Sequence, residues 1–309
     1  MFGLGCSKLL VYERNHATLK KFNDHHYKVT FMRSCRLPGF EERGACKGKR
    51  NSVGYSSKLD ASLSRTRSRI FELAMCNPWE HFVTLTLAPE NGNRCDLGAF
   101  QRRLSKWLNN LRVRNGWDIR YLLIPELHKD GVSWHMHGFM MGLPESCLVP
   151  FTLDQHIPYD IRNALLAGRQ VFNWPAYQAR FGFVRIDPIR DLEATAKYST
   201  KYITKDLSEN IGRLNKKLYL CSHGLKRAQI IYRGQLSKEF KPDFHNDYVA
   251  VKTFHSLEDA ISLFVDDEPA STAYGFFDES AEAPAPVSFW GMLERLKGGA
   301  ETWKPCYQA

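Results

Sequence analysis

Long apolar runs are missing from this 309-residue chain. No segment approaches the ~18 consecutive apolar residues that a transmembrane helix requires, so no membrane partner is expected. Charge arrives at Lys8, Glu13 and Arg14, too early for a secretory h-region. Closely paired cysteines are missing too. The eight cysteines lie at 6, 35, 46, 76, 95, 147, 221 and 306, with no C-x-x-C spacing. That argues against a zinc ribbon or a disulfide framework and makes a reducing cytoplasm the expected compartment. Basic residues are absent from one stretch, Thr253 to Glu294, which carries nine acids and no Lys or Arg.

The rest of the chain is basic. Residues 1–252 hold 40 Lys and Arg against 23 Asp and Glu, a net of +17, although the whole chain stands at +10. A body of this charge is built to face a polyanion, and in the cytoplasm nucleic acid is the first candidate. Candidate phosphate contacts are Arg65, Arg67 and Arg69, then Lys197, Lys205, Lys226, Arg227 and Arg233. The hydrophobic share, 43%, is enough for a real core. Composition divides the chain in three: a basic arm or small subdomain over 1–55, a central domain over 56–265, and an acidic Pro- and Ala-containing tail over 266–309. There are no internal repeats.

Periodicity assigns the central elements. Residues 56–76 read as a helix stopped at Asn77-Pro78, and 81–88 alternate as a strand, Phe82-Val83-Thr84-Leu85-Thr86-Leu87. Asp96 caps a helix whose Leu97, Phe100, Leu104, Trp107, Leu108 and Leu111 form one apolar stripe, with Gly116 after it. Residues 119–127 and 133–142 read as strands joined around Asp130-Gly131, a strong hairpin signal. Short helices over 159–168 and 174–180, a strand over 182–186 and an Asp191-capped helix to about residue 206 follow. Strands at 218–221, 229–233 and 248–254 and a helix opened by Ser256 complete the pattern. Helices mixed with hairpins predict an α+β fold with a central antiparallel sheet flanked by helices.

The hairpin carries chemistry. Centred on Asp130-Gly131, it pairs residues whose numbers sum to 261, so Glu126 falls opposite His135 and His137 falls two residues along the same face. Opposed Cβ atoms are ~5 Å apart and diagonal ones ~7–8 Å. One carboxylate and two imidazoles therefore converge as three ligands for a divalent ion with open positions. A lone His-x-His on a strand is more often structural; it is Glu126 in register that gives this one a purpose. The second constellation is Tyr198 and Tyr202, four apart and so stacked on a helix face, beside a basic stripe of Lys197, Lys201 and Lys205.

The segment Phe82 to Leu87, the triplet His135-Met136-His137 and the run Tyr198-x-x-Lys201-Tyr202 resemble, in order and type, the three motifs of the HUH endonucleases. The likeness is closest to the two-tyrosine rolling-circle replication initiators of small single-stranded DNA phages and related plasmid-like elements. It spans roughly residues 56–235 and takes in Tyr121 to Glu126 and Cys221 to Lys226. The resemblance implies a tyrosine, Tyr198 or Tyr202, that attacks a phosphodiester of single-stranded origin DNA to leave a 5′-phosphotyrosine and a 3′-OH. It implies Mg²⁺ or Mn²⁺ on Glu126, His135 and His137, with Lys201 offsetting charge at the tyrosines. Host helicase and polymerase become the expected partners, in a host cell's cytoplasm. No G-x-x-x-x-G-K-[ST] is present, so a fused helicase is not expected. The same residues suit a two-tyrosine transposase or a relaxase, a water-using metal nuclease, or a non-catalytic DNA-binding regulator on the same fold.

Overall fold

Alternation of β-branched and aromatic residues with polar ones, interrupted by amphipathic helices, gives two antiparallel sheets. The computed structural model describes residues 12–36, 55–203, 218–245 and 249–264. In space Lys49–Arg227 forms one compact unit, and Met1–Gly48 with Ala228–Ala309 the other. Composition places 228–264 with the central domain; the fold places those residues with the N-terminal strands instead.

The first unit begins with a long hairpin, β1 (Tyr12–Asn23) and β2 (His26–Arg36). Composition alone reads this segment as a basic arm or small subdomain. Ala17 and Leu19, then Tyr27 and Val29, are buried at period-two spacing, an alternation diluted by the lysines around it. This sheet runs β10-β1-β2-β12-β11, with β10 at Gln229–Gln235, β11 at Phe244–His245 and β12 at Val249–Phe254. A short helix, Leu257–Ile261, is capped by the Ser256 side chain and adds Ala260 and Ile261 to the core.

The second unit carries the site. Its helices are α1 (Tyr55–Met75), α2 (Leu97–Asn115), α3 (Tyr159–Leu166), α4 (Pro175–Arg180) and α5 (Leu192–Ser199). Its strands are β3 (His81–Thr86), β4 (Arg120–Leu127), β5 (Trp134–Met141), β6 (Val149–Pro150), β7 (Phe172–Asn173), β8 (Val184–Pro188) and β9 (Leu220–Cys221). The sheet order is β6-β7-β8-β3-β5-β4-β9, so β5 is hydrogen-bonded on both edges and cannot drift.

Alternation divides the two faces. Val83, Leu85, Met136, Met140 and Ile186 pack with Phe100, Leu104 and Leu108 of α2 and with Trp174, Tyr177 and Phe181 around α4. Each such fully buried side chain contributes about 1.5–3 kcal/mol. Thr84, His135 and His137 alternate onto the opposite face, towards the segment that carries the tyrosines. Among the described residues no helix is long and apolar enough to cross a membrane.

Candidate active site

The hairpin register is the one its turn demands. Glu126 pairs with His135 and Ile124 with His137. Asp130 holds the turn: its carboxylate accepts from the Val132 and Ser133 amides and from the Ser133 hydroxyl. Those bonds keep Asp130 well below the usual carboxylate range. Gly131 sits at φ +70°, a left-handed conformation that glycine adopts without penalty. Further along, β5 needs a glycine for space, since a Cβ on Gly138 would overlap the Leu122 carbonyl of β4.

The three side chains meet. Glu126 Oε2 lies 3.0 Å from His135 Nε2 and 2.7 Å from His137 Nε2, and the two imidazole nitrogens are 3.3 Å apart. One ligand atom from each lies within 4.8 Å of the others, close enough to hold one metal ion. Burial works against the Glu126 charge, but hydrogen bonds from His135 and His137 outweigh it and hold the carboxyl at about 2. Burial lowers the His137 pKa, with the Glu126 hydrogen bond acting in the other direction, so its imidazole is neutral at pH 7, as a ligand must be. On the far side of that ring, Nδ1 is 3.0 Å from the Thr84 hydroxyl. That hydrogen bond orients the ring with Nε2 towards the cluster. Thr84 lies in the strand motif of the sequence but had no role assigned; its cross-strand register with His137 is the signal that finds it.

The tyrosines approach from α5. The helix starts at Asp191, whose side chain accepts from the Ala194 amide. It is shorter than its sequence pattern predicts: α-helix ends at Ser199 and a 3₁₀ turn, Thr200–Tyr202, follows. Ser199 and Thr200 hydroxyls bond back to the Ala196 and Lys197 carbonyls, tightening the last turn. Tyr198 is therefore helical and Tyr202 is in the turn. The two still adjoin, with the Tyr202 hydroxyl donating to the Tyr198 hydroxyl at 2.9 Å. The Tyr202 ring stacks on His137, with centroids 4.6 Å apart and planes within 3°. Tyr198 is half exposed and meets Phe82 edge-on. Burial raises the Tyr202 pKa well above the usual phenol, helped by the Tyr198 hydrogen bond and the nearby Glu126 charge. Lys201 is exposed, with its ammonium 5.6 Å from the Tyr198 ring centroid.

The remaining predicted residues take different places. Arg67 donates through Nε and Nη2 to the Ile203 carbonyl, at 3.0 and 2.6 Å, and so ties α1 to the end of the tyrosine segment. Arg69 pairs with Glu72 at 2.9 Å and Lys197 with Glu193 at 2.6 Å. Arg65, Lys226 and Arg227 are exposed. The Lys226 backbone is fixed by the Asn77 side chain, which accepts from its amide and donates to its carbonyl. Arg233 is on β10, in the first unit. Lys205 lies outside the described residues, as does the whole acidic tail over 266–309.

The antiparallel sheet thus displays a Glu-His-His cluster beneath two adjoining phenols. The family model for replication-associated proteins of the ORF2 type matches residues 80–207. That stretch runs from the residue before β3 to beyond Tyr202 and contains every member of the cluster. The match supports a role for this chain as a rolling-circle replication initiator that acts on DNA. No curated protein and no solved structure matches the chain.

Proposed function

We propose that this protein starts rolling-circle replication by nicking single-stranded origin DNA through a tyrosine and later rejoining the strand. The observation that carries this reading is the Tyr202 ring stacked on His137, with its hydroxyl bonded to that of Tyr198. Two nucleophiles thereby stand beside one candidate ligand cluster. A phenol oxygen attacks the scissile phosphorus, the P–O3′ bond breaks, and the departing 3′ oxygen takes up a proton. The products are a 5′-phosphotyrosine and a 3′-OH that a polymerase can extend; the second tyrosine is available for the reverse transfer.

Glu126, His135 and His137 fit a divalent ion, Mg²⁺ or Mn²⁺. The donor set is one carboxylate oxygen and two imidazole nitrogens, the carboxyl is ionised, and Thr84 orients the His137 ring. Such an ion, when bound, orients and polarises the scissile phosphate. The chain's own residues do the rest. Burial and the Glu126 charge hold the Tyr202 proton until DNA arrives. Lys201 places a cation beside Tyr198, where phenolate and pentavalent phosphorus develop negative charge. Arg67 fixes the Ile203 carbonyl and with it the height of both phenols.

The test is incubation with single-stranded DNA and Mn²⁺, followed by a search for a protein–DNA adduct that survives denaturant. Each of Tyr198→Phe and Tyr202→Phe should leave some adduct with rejoining impaired, and the double change should leave none. His135→Ala should abolish cleavage and keep DNA binding. Adduct in the double variant, or nicked DNA that is never protein-linked, would overturn the mechanism.

A further inference from the structure

Helix α2 has a second face. Phe100, Leu104 and Leu108 point into the sheet core, while Arg102, Arg103, Lys106 and Asn110 line the outer ridge. Together with Trp107 and Arg180, the residue that ends α4, they line an open cavity of about 540 Å³. That volume lies within the ~300–1,000 Å³ of ligand pockets. The cavity is remote from the tyrosines, because α2 covers the face of Leu85 and Met136 and His135 and His137 are on the other.

Four cations line this cavity and no carboxylate does. A lining of this kind offers an anion several positive partners. Arg103 is locked in the wall. Its Nη1 donates to the Asn91 carbonyl and its Nη2 to the Arg180 carbonyl at 2.9 Å, and its guanidinium lies 4.8 Å over the Phe181 ring. Arg102, Lys106 and Arg180 are exposed and can move to a ligand. Trp107 is a fixed aromatic wall, packed 4.8 Å from Trp174 and 5.3 Å from Phe181.

Cations around an aromatic wall match a nucleotide, with phosphate on the guanidinium and ammonium groups and a base against the indole. We propose that this cavity binds a nucleotide unit of single-stranded DNA distant from the one being cut, anchoring the strand on the sheet face opposite the tyrosines. The strand as occupant rests on the nicking reading; a free nucleotide carries the same chemistry and is the alternative to be separated.

The experiment uses the full chain without metal and follows a labelled 40-nucleotide oligo(dT) by fluorescence anisotropy, with dTTP as a second probe. Arg102→Glu/Lys106→Glu alters only exposed side chains. Arg112→Glu/Arg114→Glu makes the same charge change at the far end of α2 and controls for bulk electrostatics. The first variant should bind the 40-mer at least tenfold more weakly. Its log–log salt slope should be shallower by about 1.4, two phosphates at ~0.7 each. The control should stay within about twofold of wild type. In a separate assay with Mn²⁺ added, adduct yield from a short, saturating oligonucleotide that spans only the nick should equal wild type in both. Equal 40-mer affinity and slope in the first variant and wild type overturns the proposal, and so does an equal loss in the control. A variant that loses only dTTP binding also overturns the strand and assigns the cavity to a free nucleotide. A wild type that forms no adduct yet shows the tenfold difference sinks the nicking reading and leaves the cavity assignment standing.

Discussion

Thr84 and Glu126 carry the sharpest single-residue consequences. Thr84→Val keeps volume and strand propensity but removes the hydroxyl on His137 Nδ1. Hydrogen-bond partners of a metal ligand are worth ~10–100-fold in metal affinity. Titration calorimetry with Mn²⁺ should show a loss in that range with the melting temperature nearly unchanged, and Thr84→Ser should recover most of it. Glu126 makes a prediction about acid. Its folded pKa, about 2, lies below the unfolded 4.5, so the stabilisation is complete above about 4.5 and is lost as pH falls through about 2. In EDTA, Glu126→Gln should therefore be less stable than wild type at pH 7, by roughly 1 kcal/mol after discount for a carboxylate 39% exposed. Melts recorded from pH 5 downwards should show that gap closing. At this scale the cluster was legible in the sequence, because strand alternation and the turn around Asp130-Gly131 fix which side chains meet. The roles of Thr84, Arg67 and Asn77 were not legible, since each depends on a partner 53, 136 or 149 positions away.

The β4–β5 hairpin is the element on which the site depends, and two changes test it from opposite ends. Gly138→Ala drives a methyl into the Leu122 carbonyl, where a backbone neighbour cannot yield. Overpacking of this severity should cost about 3 kcal/mol, and denaturant melts should show it together with loss of adduct formation. Asp130→Ala removes the acceptor for two amides and a hydroxyl in the turn. Amide exchange at Val132 and Ser133 should speed up while the β3 amides stay protected. The register of this hairpin was readable because Asp-Gly and the flanking apolar runs admit only one pairing. The end of α5 was less readable: an unbroken i, i+4 pattern runs through Tyr202, yet the helix tightens into 3₁₀ geometry at Thr200. Hydroxyls at Ser199 and Thr200 bonding back to the helix explain the change, and helical periodicity does not register them.

For the whole molecule, a net charge of +17 over residues 1–252, in a chain of +10 overall, predicts strong salt dependence. Single-stranded DNA affinity should fall between 50 and 200 mM NaCl with a log–log slope of about −3 or steeper, as at ~0.7 per neutralised phosphate. A flat titration would remove the basic body as a DNA surface. The α+β class followed from interleaved helices and hairpins. The partition into units did not, because β10 and β12 pair with β1 and β2 across some 200 residues, and nothing local in either strand names its partner.

That pairing also sets an order in time. The β1–β2 hairpin is complete at Arg36, but its outer neighbours β10 and β12 begin only at Gln229 and Val249. At ~5–20 residues per second of synthesis, they follow roughly ten to forty seconds later. The whole of Lys49–Arg227 leaves the ribosome within that interval and can fold first. Until then β1 and β2 each present an unpaired edge, the kind of surface on which nascent chains associate wrongly. The earliest-made strands are thus the last to be enclosed, and a holding chaperone has its natural window there.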